Sequence, residues 1–365
     1  MEKKAQDQER IFKMLLGIYS DPHISYSSSI LPIAGTEENS NYTYRLESLI
    51  KSYRWMYNIF DENNVGIICN CGDTFDNHTL RSEEITAFSK CLSYSKGVQE
   101  IHIVGNHDML NSNFYCNSFV KDYDFIELYD KPYKVNDTIS VMPYRDWHTV
   151  TPAILRDIQN DVLLSHLDIK NSIFTSNTIA DEGVDTGYLD MFFKATFNGH
   201  IHSRQKFCDT KNLVMNVGSL MSHSFSDSNT YVPGITIYDT EKHTYKCFNN
   251  PHAPLFRKIN ADTITKFLES IKKLNKNYKY VIRATVPFEI RDQIKSILEE
   301  SSNIIITYRI VTTVRDNKTI INNTVTQDII YNDDAIENKF FEFLDKNQEL
   351  LKFPANSYKA ILERK

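Results

Sequence analysis

Five short polar clusters, each placed where an apolar stretch ends, constrain this chain more than any other feature. Asp21-Pro22-His23 follows the strand-like stretch 12–19, and Gly72-Asp73-Thr74-Phe75-Asp76 follows 65–69. Gly105-Asn106-His107-Asp108 follows 101–104, Ser165-His166 closes 162–165, and Gly199-His200-Ile201-His202 follows 195–197. Between the first clusters lie stretches with helical spacing: 45–60, with Leu46, Leu49, Ile50, Tyr53, Met56, Tyr57 and Phe60 on one stripe, and 85–94. Alternating strands and helices predict an α/β fold with buried parallel strands. In such a sheet the functional site lies beyond the carboxyl ends of the strands, so the five clusters can meet there.

The residue types suit a particular chemistry. Two divalent cations about 3.5–4 Å apart need carboxylate and amide oxygens, imidazoles, and one carboxylate shared between them. In extended backbone, residues i and i+2 point the same way, so Asp21 with His23, and His200 with His202, can each present two ligands together. Glycines at 72, 105 and 199 let the backbone turn sharply beside the ions. Asn106 offers a neutral oxygen. His107 beside it points elsewhere and is free for proton transfer, with Asp108 placed to orient it.

Bulk properties narrow the class. A chain of 365 residues has room for one large domain and one or two small ones. The net charge of −6 argues against a protein that passively coats nucleic acid, but not against an enzyme with a local basic patch and bound cations. No apolar run approaches the roughly 18 residues of a membrane span. The polar N-terminus does not read as a secretory signal. Six scattered cysteines without a CxxC pair suggest a reduced, cytosolic setting.

The stretches 139–142, 162–165, 195–197, 213–217 and 235–238 come close together and suggest a second, more antiparallel sheet. A proline- and asparagine-rich break at 249–254 precedes a strand–helix–strand unit over 278–311, which reads as too small for a core of its own. Residues 314–333 are mostly polar, like a tether, and 334–365 hold two amphipathic helical stretches. Tyr53, Trp55, Met56 and Tyr57 put more apolar bulk on 45–60 than one buried stripe requires, which suggests a dimer face.

The order DxH, GDxxD, GNHD, SH, GHxH resembles the calcineurin-like metallophosphoesterase superfamily. The form GDTFD and the stretch after GNHD are similar to its DNA-repair nuclease branch of SbcD, the meiotic recombination 11 homologues and T-even-like phage nuclease subunits. Residues 124–132 and Asn216-Val217-Gly218-Ser219-Leu220 extend the likeness to the phage members, and the abundance of Asn, Lys, Ile and Tyr also suggests a phage source. The resemblance implies a two-sheet sandwich flanked by helices (αββα) over 1–255, a small α/β capping domain over 256–325 and a helical partner-binding tail over 326–365. It implies that Asp21, His23 and His202 bind one metal, that Asn106, His166 and His200 bind the other, and that Asp73 bridges them. Manganese is the implied cation, with magnesium possible, and His107 is the non-ligand histidine that assists the leaving group. Ser165 stands where relatives usually have glycine. Asp76 stands where some relatives have a second active-site histidine, and reads as site support.

The implied activity is 3′-to-5′ exonuclease action on DNA duplex ends and endonuclease action on single strands or hairpins. The implied partners are DNA, a second copy in a homodimer, and a coiled-coil ABC-type ATPase of the SbcC kind that docks on the tail. Arg81, Lys170, Arg204 and Lys206 are candidates for touching the strand. Two other readings share the same ligands: a phosphatase or phosphodiesterase acting on nucleotides or phosphoproteins, and a scaffold that has lost catalysis. The first lacks a use for the cap and tail, and the second usually loses ligands, none of which is missing here.

Overall fold

A computed structural model describes residues 14–26, 31, 42–111, 113–174, 178–227 and 232–313, with the backbone of 323–325. The first layer begins with β1 (Leu15–Tyr19), α1 (Tyr44–Glu62), β2 (Ile67–Asn70), α2 (Ser82–Leu92) and β3 (Glu100–Ile103). A small hairpin, β4 (Met109–Asn111) and β5 (Phe114–Tyr115), precedes β6 (Ile126–Tyr129). The chain then builds a second layer: β7 (Tyr133–Lys134), β8 (Ile139–Met142), α3 (Pro152–Asp157), β9 (Val162–Ser165), α4 (Thr186–Phe192), β10 (Ala195–Asn198), β11 (Gln205–Lys206) and β12 (Leu213–Asn216). It returns to the first with β13 (Gly234–Asp239) and β14 (Thr244–Asn249).

Each layer is a six-stranded sheet, ordered β14-β13-β1-β2-β3-β6 and β11-β12-β10-β9-β8-β7. Leu16, Ile18, Cys69, Ile101 and Ile103 of one sheet meet Val141, Leu164, Phe197 and Met215 of the other in a shared core. Helices cover the outer faces. The apolar stripe of α1 (Leu46, Leu49, Tyr53, Met56, Tyr57 and Phe60) packs with Phe88 and Leu92 of α2 on the first sheet. Leu155, Leu189 and Phe192 of α3 and α4 cover the second. This is the expected αββα sandwich. Gly17 lets α1 approach closely, since a Cβ there would lie 2.7 Å from the Phe60 ring.

Two expectations need correction. The second sheet is parallel at its centre (β12, β10, β9, β8) and antiparallel only at its two-residue edge strands. Residues 235–238 belong instead to the first sheet, antiparallel to β1. The apolar bulk of α1 is also accounted for inside the chain: Tyr53, Met56 and Tyr57 are buried, while Tyr44, Ile50, Trp55 and Ile59 remain half-buried. That helix therefore offers less of a dimer face than its composition suggested.

The C-terminal unit comprises β15 (Leu255–Asn260), α5 (Ile264–Lys272), β16 (Tyr280–Pro287), α6 (Arg291–Glu300), β17 (Ile305–Thr313) and β18 (Asn323–Val325). Contrary to the sequence reading, it has its own core: Leu255, Ile259, Phe267, Ile282, Ala284, Ile294 and Leu298 cluster between one sheet face and the two helices. The strand–helix–strand expectation lacked β15 and α5, which supply Leu255, Ile259 and Phe267. The proposed docking tail over 326–365 lies outside the described residues. Among the described residues no helix is long and apolar enough to cross a membrane, and none of the six cysteines is bridged.

Candidate metal centre

The parallel strands β1, β2, β3, β9 and β10 end on one edge of the sandwich, and the five polar clusters leave from there. The loops after β1 and β2 are stitched together: the Asp21, His23 and Ile24 amides donate to the Gly72, Asp73 and Thr74 carbonyls at 3.1, 3.2 and 2.9 Å. Four of the expected ligands adopt left-handed backbone, Asp21 (φ 49°), His23 (44°), Asp73 (50°) and His200 (69°). Asp and His tolerate this region better than most residues, yet each costs on the order of 1 kcal/mol. Surrounding bonds hold the strain in place; the His200 amide, for instance, donates to both carboxylate oxygens of Asp21 at 3.1 Å.

The glycines act in two ways. Gly72 has φ 97° and makes the turn. Gly105 and Gly199 instead permit close approach, since a Cβ would sit 2.2 Å from Asp73 Oδ1 or from the Cys71 carbonyl oxygen.

All seven expected ligands converge, in two sets. His23 Nε2 lies 2.9 Å from His202 Nε2, and each is 3.9 Å from Asp21 Oδ1. Asn106 Oδ1 lies 3.0 Å from both His166 Nε2 and His200 Nδ1. Asp73 Oδ2 stands between the sets, 3.7 Å from His23 Nε2 and 3.3 Å from His166 Nε2. Ligand atoms of Asp21, His23 and His202 fall within 4.8 Å of one another, as do those of Asp73, His166 and His200.

Partners behind the imidazoles determine which nitrogen faces inward. His166 Nδ1 donates to the Cys71 carbonyl at 2.6 Å, which leaves Nε2 as the inward lone pair. His202 Nδ1 donates to Asp227 at 3.0 Å, and His200 Nε2 donates to Asp168 at 2.8 Å, which leaves Nε2 and Nδ1 respectively. This backing of ligand histidines by carboxylates and carbonyls is what a metal site requires. Neither Asp168 nor Asp227 was singled out from sequence. Asp168 follows His166 by two residues, yet each aspartate meets the histidine it backs, His200 or His202, only through the fold.

Electrostatics agree. Burial alone would raise the Asp73 carboxyl, but His166, His23 and His107 more than offset it and hold it well below the usual range. Burial alone would lower His166 and His202. Asp73 lifts the first to about 9, and Asp227 with Asp21 lifts the second to about 9. Cations and protons therefore compete for the same inward lone pairs.

The donor set fits two divalent cations. His23 Nε2 and His202 Nε2 lie 2.9 Å apart, close enough to be neighbouring ligands of one cation, and the outer nitrogen of His23 is buried without a hydrogen-bond partner. Asn106 supplies one neutral oxygen and Asp73 a carboxylate facing both sets. Replacing Asp227 with Asn should weaken divalent-cation binding in the Asp21–His23–His202 set by about 10- to 100-fold, while the other set keeps its ion. Equilibrium dialysis with manganese would register one weakened site of two; two unaltered sites would contradict the role given to Asp227.

The residues expected to be catalytic have distinct surroundings. His107 is exposed (44% of its side chain), and its Nδ1 donates to the Asp76 backbone carbonyl at 2.8 Å. Asp108 does not orient it. Its carboxylate is buried and accepts amide bonds from Thr74, Phe75 and Gly105 at 3.3, 3.0 and 3.0 Å, which ties the second cluster to the third. Burial and then Asp73 push Asp108 up to about 7. Asp76 Oδ1 faces His223 Nε2 at 3.1 Å and His23 Nδ1 at 3.6 Å, consistent with site support.

His223 also escaped the sequence reading. The buried guanidinium of Arg45 donates to its Nδ1 at 2.9 Å and to the His23 carbonyl at 2.8 Å. His23, Asp76 and His107 form a third group of potential ligands, in which His107 already gives its Nδ1 to a carbonyl. Of the four suggested strand contacts, Arg204 is committed to the Val217 carbonyl and to Asn249, and Arg81 stacks on Tyr26. Ser165 donates its hydroxyl to Asn198 Oδ1 at 2.8 Å, and so steadies the turn before His166.

No protein-family model matches the sequence, and no curated protein matches it. Among solved structures, a dimetal phosphatase from Danio rerio is similar over 62% of this chain and 92% of its own, with 10% identity and a TM-score of 0.38. The protein TT1561 of Thermus thermophilus matches over 65% of this chain and 99% of its own (9% identity, TM-score 0.41). Purple acid phosphatase PPD1 from yellow lupin, Lupinus luteus, matches over 65% and 52% (11% identity, TM-score 0.41).

Proposed function

We propose that this chain is a two-metal phosphodiesterase whose substrate is DNA, acting 3′-to-5′ on duplex ends and internally on single strands or hairpins. One observation carries the reading: Asp73 Oδ2 stands between two separate sets of imidazole and oxygen ligands, within 3.7 Å of each. When bound, two divalent cations would neutralise charge on the phosphate oxygens and lower the pKa of a water molecule. The remaining work falls to the chain's own groups. Asp73 Oδ1 accepts the His107 amide at 2.8 Å and so places that residue beside the centre. With Nδ1–H given to the Asp76 carbonyl, Nε2 of His107 is the atom that gives or takes a proton. It can do so without losing the bond that orients the ring. His107 packs edge-on against His23, 4.7 Å between ring centres, on the exposed side of the centre. There it can meet the leaving oxygen of a long strand that no enclosed cavity could hold.

The test is incubation with labelled linear duplex and circular single-stranded DNA, with manganese or with chelator, beside a small chromogenic phosphate ester. Chelator-sensitive cleavage of both DNAs is expected. Fast turnover of the small ester with intact DNA would favour the phosphatase reading. For partners we propose a second copy of the chain and a coiled-coil ABC-type ATPase of the SbcC kind on residues 326–365. Truncation after residue 325 should leave manganese-dependent cleavage within about twofold, since all seven expected ligands precede it. ATPase co-purification should be lost; retention would place the docking site elsewhere.

A further inference from the structure

The sheet of the C-terminal unit has two unlike faces. Tyr280, Ile282, Ala284 and Val286 of β16 enter the core shared with α5 and α6. Side chains alternate along a strand, so Val281, Arg283 and Thr285 occupy the face away from both helices. That face turns toward the metal centre. Val281 and Phe256 cluster with Phe225, and the Arg283 guanidinium lies 4.4 Å from the centre of the Phe225 ring. Phe225 is flanked two residues away on either side by His223 and Asp227, which contact Asp76 and His202.

Strand register sets Lys258 opposite Arg283, and Arg283 opposite Arg309. Three cations thus form one row across β15, β16 and β17, spanning about 10 Å at the usual strand spacing. Like charges directly opposite each other destabilise a sheet. Among the described residues no carboxylate forms an ion pair with any of the three. Nε of both Arg283 and Arg309 is buried without a partner. Burial, and then the nearby Arg309, hold the Arg283 guanidinium below its ordinary value. Apart from the contact of Arg283 with the Phe225 ring, the row brings the fold only like-charge repulsion, which a polyanion crossing it would offset. A chain of net charge −6 has need of such a local patch to hold a phosphate backbone.

We propose that Lys258, Arg283 and Arg309 are a nucleic-acid backbone contact that holds the substrate strand beside the metal centre through its phosphates, without reading bases. This rests on the nuclease reading above. The probe is a nuclease-resistant phosphorothioate oligonucleotide, single-stranded or duplex, with the full manganese-loaded chain, measured by fluorescence anisotropy across a salt series. Changing Lys258, Arg283 and Arg309 together to Gln should weaken binding about 10- to 100-fold near 0.1 M salt, and lower the slope of log K against log salt by about 2–3. A control of equal charge on the helices, Lys266, Lys272 and Lys295 to Gln, should leave both quantities within about twofold, because those side chains are exposed on the opposite side of the unit. Equal weakening by both triples would show a net-charge effect and overturn the row, as would no weakening by either. Should the row triple lose manganese or melt at a lower temperature, the exposed Lys258→Gln alone decides: a slope lowered by about 1 supports the row and an unchanged slope overturns it. A wild-type chain that hydrolyses a small diester but shows no salt-dependent DNA binding would overturn the nuclease reading, and the row with it.

Discussion

Asp73→Asn is expected to strip the centre of its shared ligand and to lower phosphodiester cleavage by about four orders of magnitude or more, the several kcal/mol that a bound Lewis acid supplies. The substitution keeps shape and one acceptor. Oδ1 can still take the His107 amide, now at 2.8 Å, so the loop need not rearrange. What is lost is the negative charge at Oδ2, which faces His166 at 3.3 Å and His23 at 3.7 Å. Metal analysis should fall from two divalent ions per chain toward none, because both sets face that oxygen. Two tightly held ions in the variant would mean that Asp73 is not shared, and would overturn the bridging role given to it.

The second large effect concerns His107. His107→Ala should lower turnover about 10²- to 10⁴-fold, the usual contribution of a positioned proton donor, with two ions still bound. Its Nδ1 is held by a carbonyl and its ring is exposed, so its removal takes away no inward lone pair from either set. Loss of one manganese ion would instead reveal the third ligand group, with His23 and Asp76, as a true site. The two substitutions thus separate charge placed on the cations from a proton moved at the leaving oxygen.

The expected ligands were legible in the sequence because they stand in short polar clusters at strand ends, four of them as local pairs. Asp21 with His23, and His200 with His202, need only extended or tightly turned backbone to act together. The same locality misled in the case of Asp108. Adjacent to His107 in sequence, it points the other way, into amides of the Gly72–Phe75 turn, because a buried carboxylate must find donors. The second sheet was misread for a related reason: short apolar strands carry no mark of direction, and only pairing distinguishes parallel from antiparallel. The C-terminal unit was underestimated because β15 lies among prolines and polar residues that obscure its alternation.

What the sequence determined by itself is the chemistry: a set of carboxylate, amide and imidazole ligands, ordered along alternating strands and helices, that can serve a pair of cations. What only the tertiary structure decided is which atoms of that set face inward and what stands behind them. Asp227 behind His202, Asp168 behind His200, Arg45 behind His223 and the cross-strand row of Lys258, Arg283 and Arg309 join residues with no common period. Such contacts arise from the packing of sheet on sheet and unit on unit. Packing acts on distances in space, which spacing along a chain encodes only within a single strand or helix.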